Sequence, residues 1–268
     1  MITKSLKRIY IILILIFMYA PIGTLIVLSF NASKTRSKWG GFTLHWYAEL
    51  FQNEEIMGAL LNTLIVAFLS ALIATLIGLI ACVTMQKCSK KTRSILTGIT
   101  NIPMLNAEIV TGISMMLLFL SIGNIFARLG VRFQLGFITV LISHITFNIP
   151  YVILSILPRM KQLNPSVYEA ALDLGATKFT AFRKVVLPDL MPGISSGFLM
   201  AFTMSIDDFI ITHFTKGPGF DTLSTKIYTE LRKGIKPEMY ALSTLIFIAV
   251  FILLMLINRT PKEIKHHK

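Results

Sequence analysis

The chain has 268 residues, of which 54% are hydrophobic, and its mean hydropathy is +0.71. This composition excludes a soluble globular domain and predicts a protein that lipid surrounds. The 26 Lys and Arg residues outnumber the 13 Asp and Glu residues, which gives a net charge of +13. The basic residues are scattered over loops and tails, so they indicate anchors to lipid headgroups, and we expect no nucleic-acid partner.

Apolar segments long enough to cross a bilayer, which takes about 20 residues, recur along the chain. We predict membrane helices at residues 9–30, 59–83, 95–120, 135–157, 193–213 and 240–258. The predicted fold class is therefore an all-α integral membrane protein, with residues 1–268 forming a single transmembrane domain. An even number of spans places both termini on one side. The positive-inside rule makes that side the cytoplasm, because its loops carry the larger share of the basic residues.

The longest polar cytoplasmic segment, residues 159–191, has clear helix signals. Asn164 and Pro165 suit the N-cap and the first helical position, and Gly175 suits a left-handed C-cap, which together predict a helix of about ten residues. Thr177 is expected to cap a second short helix that ends near Pro188. Because so short a helix is marginal in water by itself, we expect the first one to dock against another protein.

Acidic residues within the predicted spans are the main clue to chemistry. A carboxylate in the middle of a bilayer is costly, so Glu108, Asp207 and Asp208 should face protein or a wet cavity. Ser205 and Thr212 are spaced to share one helix face with Asp208, which predicts a polar stripe. We expect one aspartate to face a pathway. The alternative is that one aspartate caps the helix or braces it against a neighbour and that Glu108 pairs with a buried basic group.

Aromatic, histidine and cysteine residues are further candidates for a function. Trp46 is expected at the membrane interface, with contact to cargo as the alternative. His144 and His213 are interpreted as packing or interfacial residues rather than proton carriers. Cys82 and Cys88 form neither a disulfide nor a metal-binding pattern, and we expect no metal site.

One motif in the cytoplasmic segment is specific. The run Glu169-Ala-Ala-Leu-Asp-Leu-Gly175, then nine residues, then Val185-Val-Leu-Pro188 resembles the EAA loop of the permease subunits of ABC importers, with Val185 in place of Ile as the departure. In that family the loop is a coupling helix that docks in a cleft of the ATPase subunit. The resemblance implies the coupling role for Glu169, Ala170, Ala171, Gly175, Leu187 and Pro188.

The wider chain is similar to the spermidine/putrescine branch of these permeases over nearly its full length. The stretches that carry the resemblance are 42–47, 62–63, 205–209, 217–219, 233–238 and 241–244. The Ser205-Ile-Asp-Asp-Phe209 run is the one most typical of the polyamine branch. A flexible multivalent cation needs carboxylates and aromatic faces along its path. The residues predicted for a substrate pathway or gate are Glu108, Ser205, Asp207, Asp208 and Trp46.

The resemblance also implies an assembly in the bacterial cytoplasmic (inner) membrane. The expected partners are a second permease subunit, two ATPase subunits, an extracytoplasmic polyamine-binding protein and membrane lipid. The sequence contains no phosphate-binding loop of the Gly-x-x-x-x-Gly-Lys-Ser/Thr type, so ATP and Mg are expected on the ATPase and no cofactor on this chain. We expect no catalytic residues.

Other functions remain open at this point. A permease of the same architecture could carry iron, a sugar or another small solute. A secondary transporter would need no ATPase partner, and the sequence has no internal repeat that would indicate one. An intramembrane hydrolase would need a metal-binding helix pair or a nucleophile motif, and the sequence contains neither.

Overall fold

The computed structural model describes residues 2–35, 37–234 and 236–258, and its framework is helical. The twelve α-helices of these residues are α1 Ile2–Ser29, α2 His45–Gln52, α3 Glu54–Gln86, α4 Lys90–Leu105, α5 Glu108–Arg128, α6 Phe137–Gln162, α7 Pro165–Asp173, α8 Lys178–Ala181, α9 Leu187–Asp207, α10 Ile210–Thr215, α11 Leu223–Lys233 and α12 Pro237–Asn258.

Five helical stretches are long and apolar enough to cross a membrane. They are Leu6–Ser29, Glu54–Gln86, Glu108–Arg128, Phe137–Gln162 and Lys178–Asp207. The 22-residue helix α12 is a sixth apolar helix. The predicted fold class, an all-α membrane protein with about six spans, is confirmed.

The third predicted span, residues 95–120, is wrong in its bounds. The chain forms two helices there, because Asn106 and Ala107 are extended, with ψ of 147° and 133°. The apolar helix is α5, which starts at Glu108, whereas α4 is shorter and has mixed polarity. Glu108 therefore lies in the first turn of a span and not in its middle.

The fifth predicted span, residues 193–213, is wrong at both ends. Helix α8 does not stop near Pro188: it continues through a π turn at Phe182–Val186 into α9, which then ends at Asp207. A proline offers no N–H and crowds the carbonyl four residues earlier, so a wider turn just before Pro188 lets the helix continue. The predicted stripe across residues 205–212 is therefore interrupted by a break in the helix.

The described residues divide into two compact units, one made of residues 1–57 and 227–268 and the other of residues 58–226. In the first unit, α12 packs against both α1 and α2. Asn53 on the loop after α2 donates a hydrogen bond of 3.1 Å to Glu238 of α12. The outer face of α1 is exposed along most of its length, as expected for a helix that meets lipid. That residues 1–268 form one domain stays a prediction.

The second unit is built on α3, α6 and α9, which share one buried apolar cluster. Small residues let these helices approach closely. A Cβ placed on Gly78 of α3 would lie 2.7 Å from Val152 Cγ1 of α6, and one on Gly197 of α9 would lie 3.3 Å from the Val152 Cα. Helix α10 packs against α5 and α6. This closely packed core adjoins the break between α9 and α10.

Candidate functional site

A cavity of about 390 Å³ lies in the second unit, where α5 begins and α9 ends. Its walls combine carboxylates, aromatic rings and apolar side chains. The lining residues are Pro103, Met104, Asn106, Glu108, Thr111, Phe147, Tyr151, Met204, Asp207, Asp208, Phe209, Ile210 and Ile211. The charged residues of this described lining are the three acids Glu108, Asp207 and Asp208.

Two of the predicted acids present their side chains to the cavity. Glu108 and Asp207 are both exposed, and neither makes an ion pair with a described residue. Asp207 is the last residue of α9, where the free carbonyl groups of a helix end carry partial negative charge. The negative potential of this end of α9 adds to that of the carboxylate.

Asp208 has a different role from Asp207, although it also borders the cavity. Its side chain is 5% exposed, and its Oδ1 accepts a hydrogen bond of 3.1 Å from the Ile211 backbone N–H. Its Oδ2 accepts bonds of 2.8 Å and 2.7 Å from the backbone N–H and the hydroxyl of Thr212. Asp208 therefore caps α10, which is the alternative reading of one aspartate given above.

Ser205 and Thr212 meet through a third residue rather than along one helix face. His144 of α6 is fully buried, with Nδ1 2.5 Å from Ser205 Oγ and Nε2 2.8 Å from Thr212 Oγ1. Its Nε2 also lies 3.3 Å from Asp208 Oδ2. His144 therefore joins the polar residues that the sequence placed on a single stripe.

Trp46 lies in the first unit and is not among the residues that line the cavity. It is 5% exposed, and its indole N–H donates a bond of 2.7 Å to the carbonyl of Asn31. The Asn31 side chain also accepts bonds from the backbone N–H groups of Ser33 and Gly40. Within this unit Trp46 anchors the loop that follows α1, and its contact with cargo stays a prediction.

The predicted caps of the coupling segment are confirmed. Asn164 Oδ1 accepts a bond of 3.0 Å from the Ser166 backbone N–H, and Pro165 is the first residue of α7. Gly175 has a φ of +85°, and its backbone N–H donates to the carbonyl of Leu172 at 2.9 Å. Thr177 Oγ1 caps α8 by accepting from the Thr180 N–H at 3.2 Å.

The coupling residues divide between an exposed helix and the start of a span. Glu169 and Ala170 of α7 are exposed, and Ala171 is half-buried. Leu187 and Pro188 open α9 directly after the π turn, and α7 packs against that turn. Helix α7 thus contacts the π turn that leads into α9, and Asp207 is the last residue of α9.

Sequence reasoning named His144 only as a packing or interfacial residue, and it missed Asn148 and Leu174. His144 and Asn148, four residues apart on α6, are fully buried polar residues, and Asn148 contacts Ser70 of α3. That spacing within an apolar helix was the available signal for a shared buried face. Leu174, which follows α7, is 90% exposed, and an isolated leucine next to Gly175 gives no such signal.

The family to which the chain is similar is described as "Binding-protein-dependent transport system inner membrane component", and it matches residues 74–260. The chain belongs to this permease family. It is 36% identical over 248 residues to the spermidine/putrescine transport system permease protein PotC of Escherichia coli K12, covering 92% of this chain and 90% of that protein. It is also 36% identical over 268 residues to the putrescine transport system permease protein PotI of the same strain, covering 98% and 94%.

Solved structures agree on the fold. A bacterial ABC transporter involved in the import of the acidic polysaccharide alginate has a chain with a TM-score of 0.75 and 22% identity, covering 96% of this chain and 92% of that one. The same type of transporter bound to its periplasmic protein with an alginate pentasaccharide gives a TM-score of 0.74, with 22% identity and coverages of 96% and 91%. The chain is thus a multi-pass inner-membrane transport component.

Proposed function

We propose that this chain is a permease subunit of an importer for polyamines, and that Glu108 and Asp207 contact the cationic cargo as it passes. The observation that carries the proposal is the cavity of about 390 Å³, in which both carboxylates are exposed. The relatives named for spermidine and putrescine transport support the choice of cargo.

The chemistry of the lining fits a flexible chain that carries several ammonium groups. Carboxylates attract these groups, and the rings of Phe147, Tyr151 and Phe209 can contact both ammonium groups and methylene segments. A hydrogen bond to a charged group contributes about 1.5–3 kcal/mol, so each acid should change cargo passage by about tenfold or more. Asp208 should contribute less to cargo passage, because its carboxylate already accepts hydrogen bonds from the first turn of α10 and lies beside His144.

Energy would come from separate ATPase subunits. In this proposal ATP and Mg bind to those subunits, and α7 docks in a cleft of one of them through Glu169, Ala170, Ala171 and Gly175. Closure of the ATPase pair would then move α9 through the π turn, and the cavity would change from outward to inward access. The chain itself would be a non-catalytic subunit without a cofactor of its own.

The remaining partners follow from this arrangement. A second permease subunit would complete the membrane pathway, and an extracytoplasmic polyamine-binding protein would deliver the cargo. The binding protein in a related solved assembly supports the latter partner. Both termini and α7 would lie in the cytoplasm, with lipid around the apolar helices.

The test uses the complete complex, reconstituted in vesicles with its ATPase and binding protein. We expect Asp207→Asn and Glu108→Gln each to lower spermidine and putrescine uptake about tenfold, while the subunits still copurify. Glu54→Gln is the matched control, because Glu54 is an exposed acid in the first turn of α3 and outside the cavity lining. Its uptake should equal that of the parent.

Two results would contradict the proposal. Unchanged polyamine uptake in both cavity variants would remove the contact with cargo. Uptake of iron or a sugar, with no polyamine uptake by the parent complex, would show a permease for another solute.

A further inference from the structure

A chain of polar side chains crosses the buried core of the second unit. Asn148 Nδ2 lies 3.4 Å from Ser70 Oγ, and Ser70 Oγ lies 3.1 Å from Ser205 Oγ. Ser205 then contacts His144, which reaches Thr212 and Asp208. The chain therefore links four helices, α3, α6, α9 and α10, and it ends on a carboxylate.

The Asp208 carboxylate fixes the direction of the hydrogen bonds nearest to it. The Asp208 carboxylate can only accept, so the Thr212 hydroxyl donates to it and itself accepts from His144 Nε2–H. A neutral imidazole then accepts at Nδ1, which makes Ser205 the donor to His144. Ser205 in turn accepts from Ser70, and Ser70 accepts from the Asn148 amide. The Ala67 carbonyl, 3.2 Å from Ser70 Oγ, competes for the single Ser70 hydroxyl proton, and the buried Asn148 Oδ1 has no hydrogen-bond partner among the described residues.

The same contacts fix the break between α9 and α10. Asp208 is extended, with ψ of 124°, and Ser224 Oγ donates a bond of 2.7 Å to its backbone carbonyl. Its side chain is held by α10 on one side and by His144 on the other. Because Asp207 and Asp208 are adjacent at a helix end, fixing Asp208 inward leaves Asp207 at the cavity surface.

We propose that His144 is a positioning residue for the cation pathway: through Thr212 it holds Asp208 against α10 and so directs Asp207 into the cavity. The proposal rests on the proposed function, in which Asp207 meets the cargo. It adds a buried residue of α6, which does not line the cavity, to the set that determines passage. The unsatisfied donors and acceptors left by its removal would be costly in this buried site, so the break should rearrange.

The first experiment measures where residue 207 points, and it needs no cargo. The reporter is Asp207→Cys in the assembled complex, in a background where Cys82 and Cys88 are replaced by alanine. The probe is a positively charged methanethiosulfonate reagent. We expect His144→Leu to slow modification of the reporter at least tenfold. His144→Gln, which can place an N–H near the position of Nε2, should restore the rate to within about threefold.

Two further variants separate positioning from a general loss of stability. Thr212→Val keeps the side-chain volume but removes the hydroxyl between His144 and Asp208, and it should slow the reporter as His144→Leu does. His45→Leu is the matched control, because His45 is 68% exposed in its side chain and belongs to the first unit. It should leave the rate unchanged. A rate in Thr212→Val and His144→Leu that equals or exceeds the parent rate would overturn the proposal.

The second experiment uses uptake and a double-mutant cycle. His144→Leu should lower polyamine uptake about tenfold in the parent, but less than twofold when Asp207 is already Asn. Fully additive losses would show that His144 acts on stability and not through Asp207. If the reporter responds as expected while polyamines are not carried at all, the positioning role stands and the proposed cargo fails.

Discussion

Replacement of Gly175 by valine should weaken the coupling helix through backbone conformation alone. Gly175 has a φ of +85°, and no atom lies within 4 Å of the position that a Cβ would take. The new side chain therefore gains no contact and meets no clash. A non-glycine residue in the left-handed region costs about 1–2 kcal/mol. Because α7 has 9 residues and is marginal without its caps, this cost falls directly on its formation.

A cost of about 1–2 kcal/mol changes the ratio of formed to frayed helix by roughly 5- to 30-fold. The assay is ATP hydrolysis by the complex in lipid nanodiscs, with and without the ligand-loaded binding protein. We expect Gly175→Val to lose most of the stimulation and to keep the basal rate. Gly175→Asn should retain more stimulation, since asparagine tolerates the left-handed region at helix ends.

The chain offers a matched control at Gly130, which follows α5. It has a φ of +78° and likewise nothing within 4 Å of a Cβ. Gly130→Val thus carries the same backbone cost at a position outside the coupling segment, and stimulation should survive. Equal stimulation in Gly175→Val and the parent would refute the reasoning, as would an equal loss in both valine variants.

Three other changes test further features. Leu174, which is 90% exposed, should bury its side chain on docking, so Leu174→Ala should weaken retention of the ATPase about tenfold in a pull-down; unchanged retention would contradict this. A Cβ on Gly217 would lie 1.8 Å from the Leu135 carbonyl oxygen, so Gly217→Ala should lower the unfolding temperature of the purified complex, with a cost of about 1–3 kcal/mol. Thr63→Val should also lower the unfolding temperature, because Leu223 N–H loses its 2.7 Å bond to Thr63 Oγ1, at a cost in stability of about 1–3 kcal/mol. An unchanged unfolding temperature would count against the prediction for that variant.

Sequence periodicity and cap chemistry predicted the local features well. The Asn164, Gly175 and Thr177 caps were readable because each depends on a few neighbouring residues. The bounds of two spans could not be predicted in this way, because hydropathy is averaged over a window and does not register two extended residues. Asn106 and Ala107 break one apolar run, and Asp208 ends another at a point set by contacts with distant helices.

The candidate site was predicted in its residues but not in its arrangement. Glu108, Asp207 and Asp208 could be named because acids are rare in spans. The surroundings of Asp208 include His144, which lies more than 60 positions away from Ser205 and Asp208 in the sequence. No pattern in a single sequence pairs residues across that distance, whereas the packing of α6 against α9 and α10 does so directly.

The break after Asp207 explains why two adjacent aspartates are useful here. Within a continuous helix, neighbouring side chains point about 100° apart, and neither carboxylate would lie at a helix end. The break lets the structure assign them different tasks. Asp208 offsets the partial positive charge at the start of α10 and is held in place by Thr212 and His144. Asp207 stays at the negative end of α9, where neither helix offers it a partner. In the proposed function, the Asp207 carboxylate would attract a cation from the cavity.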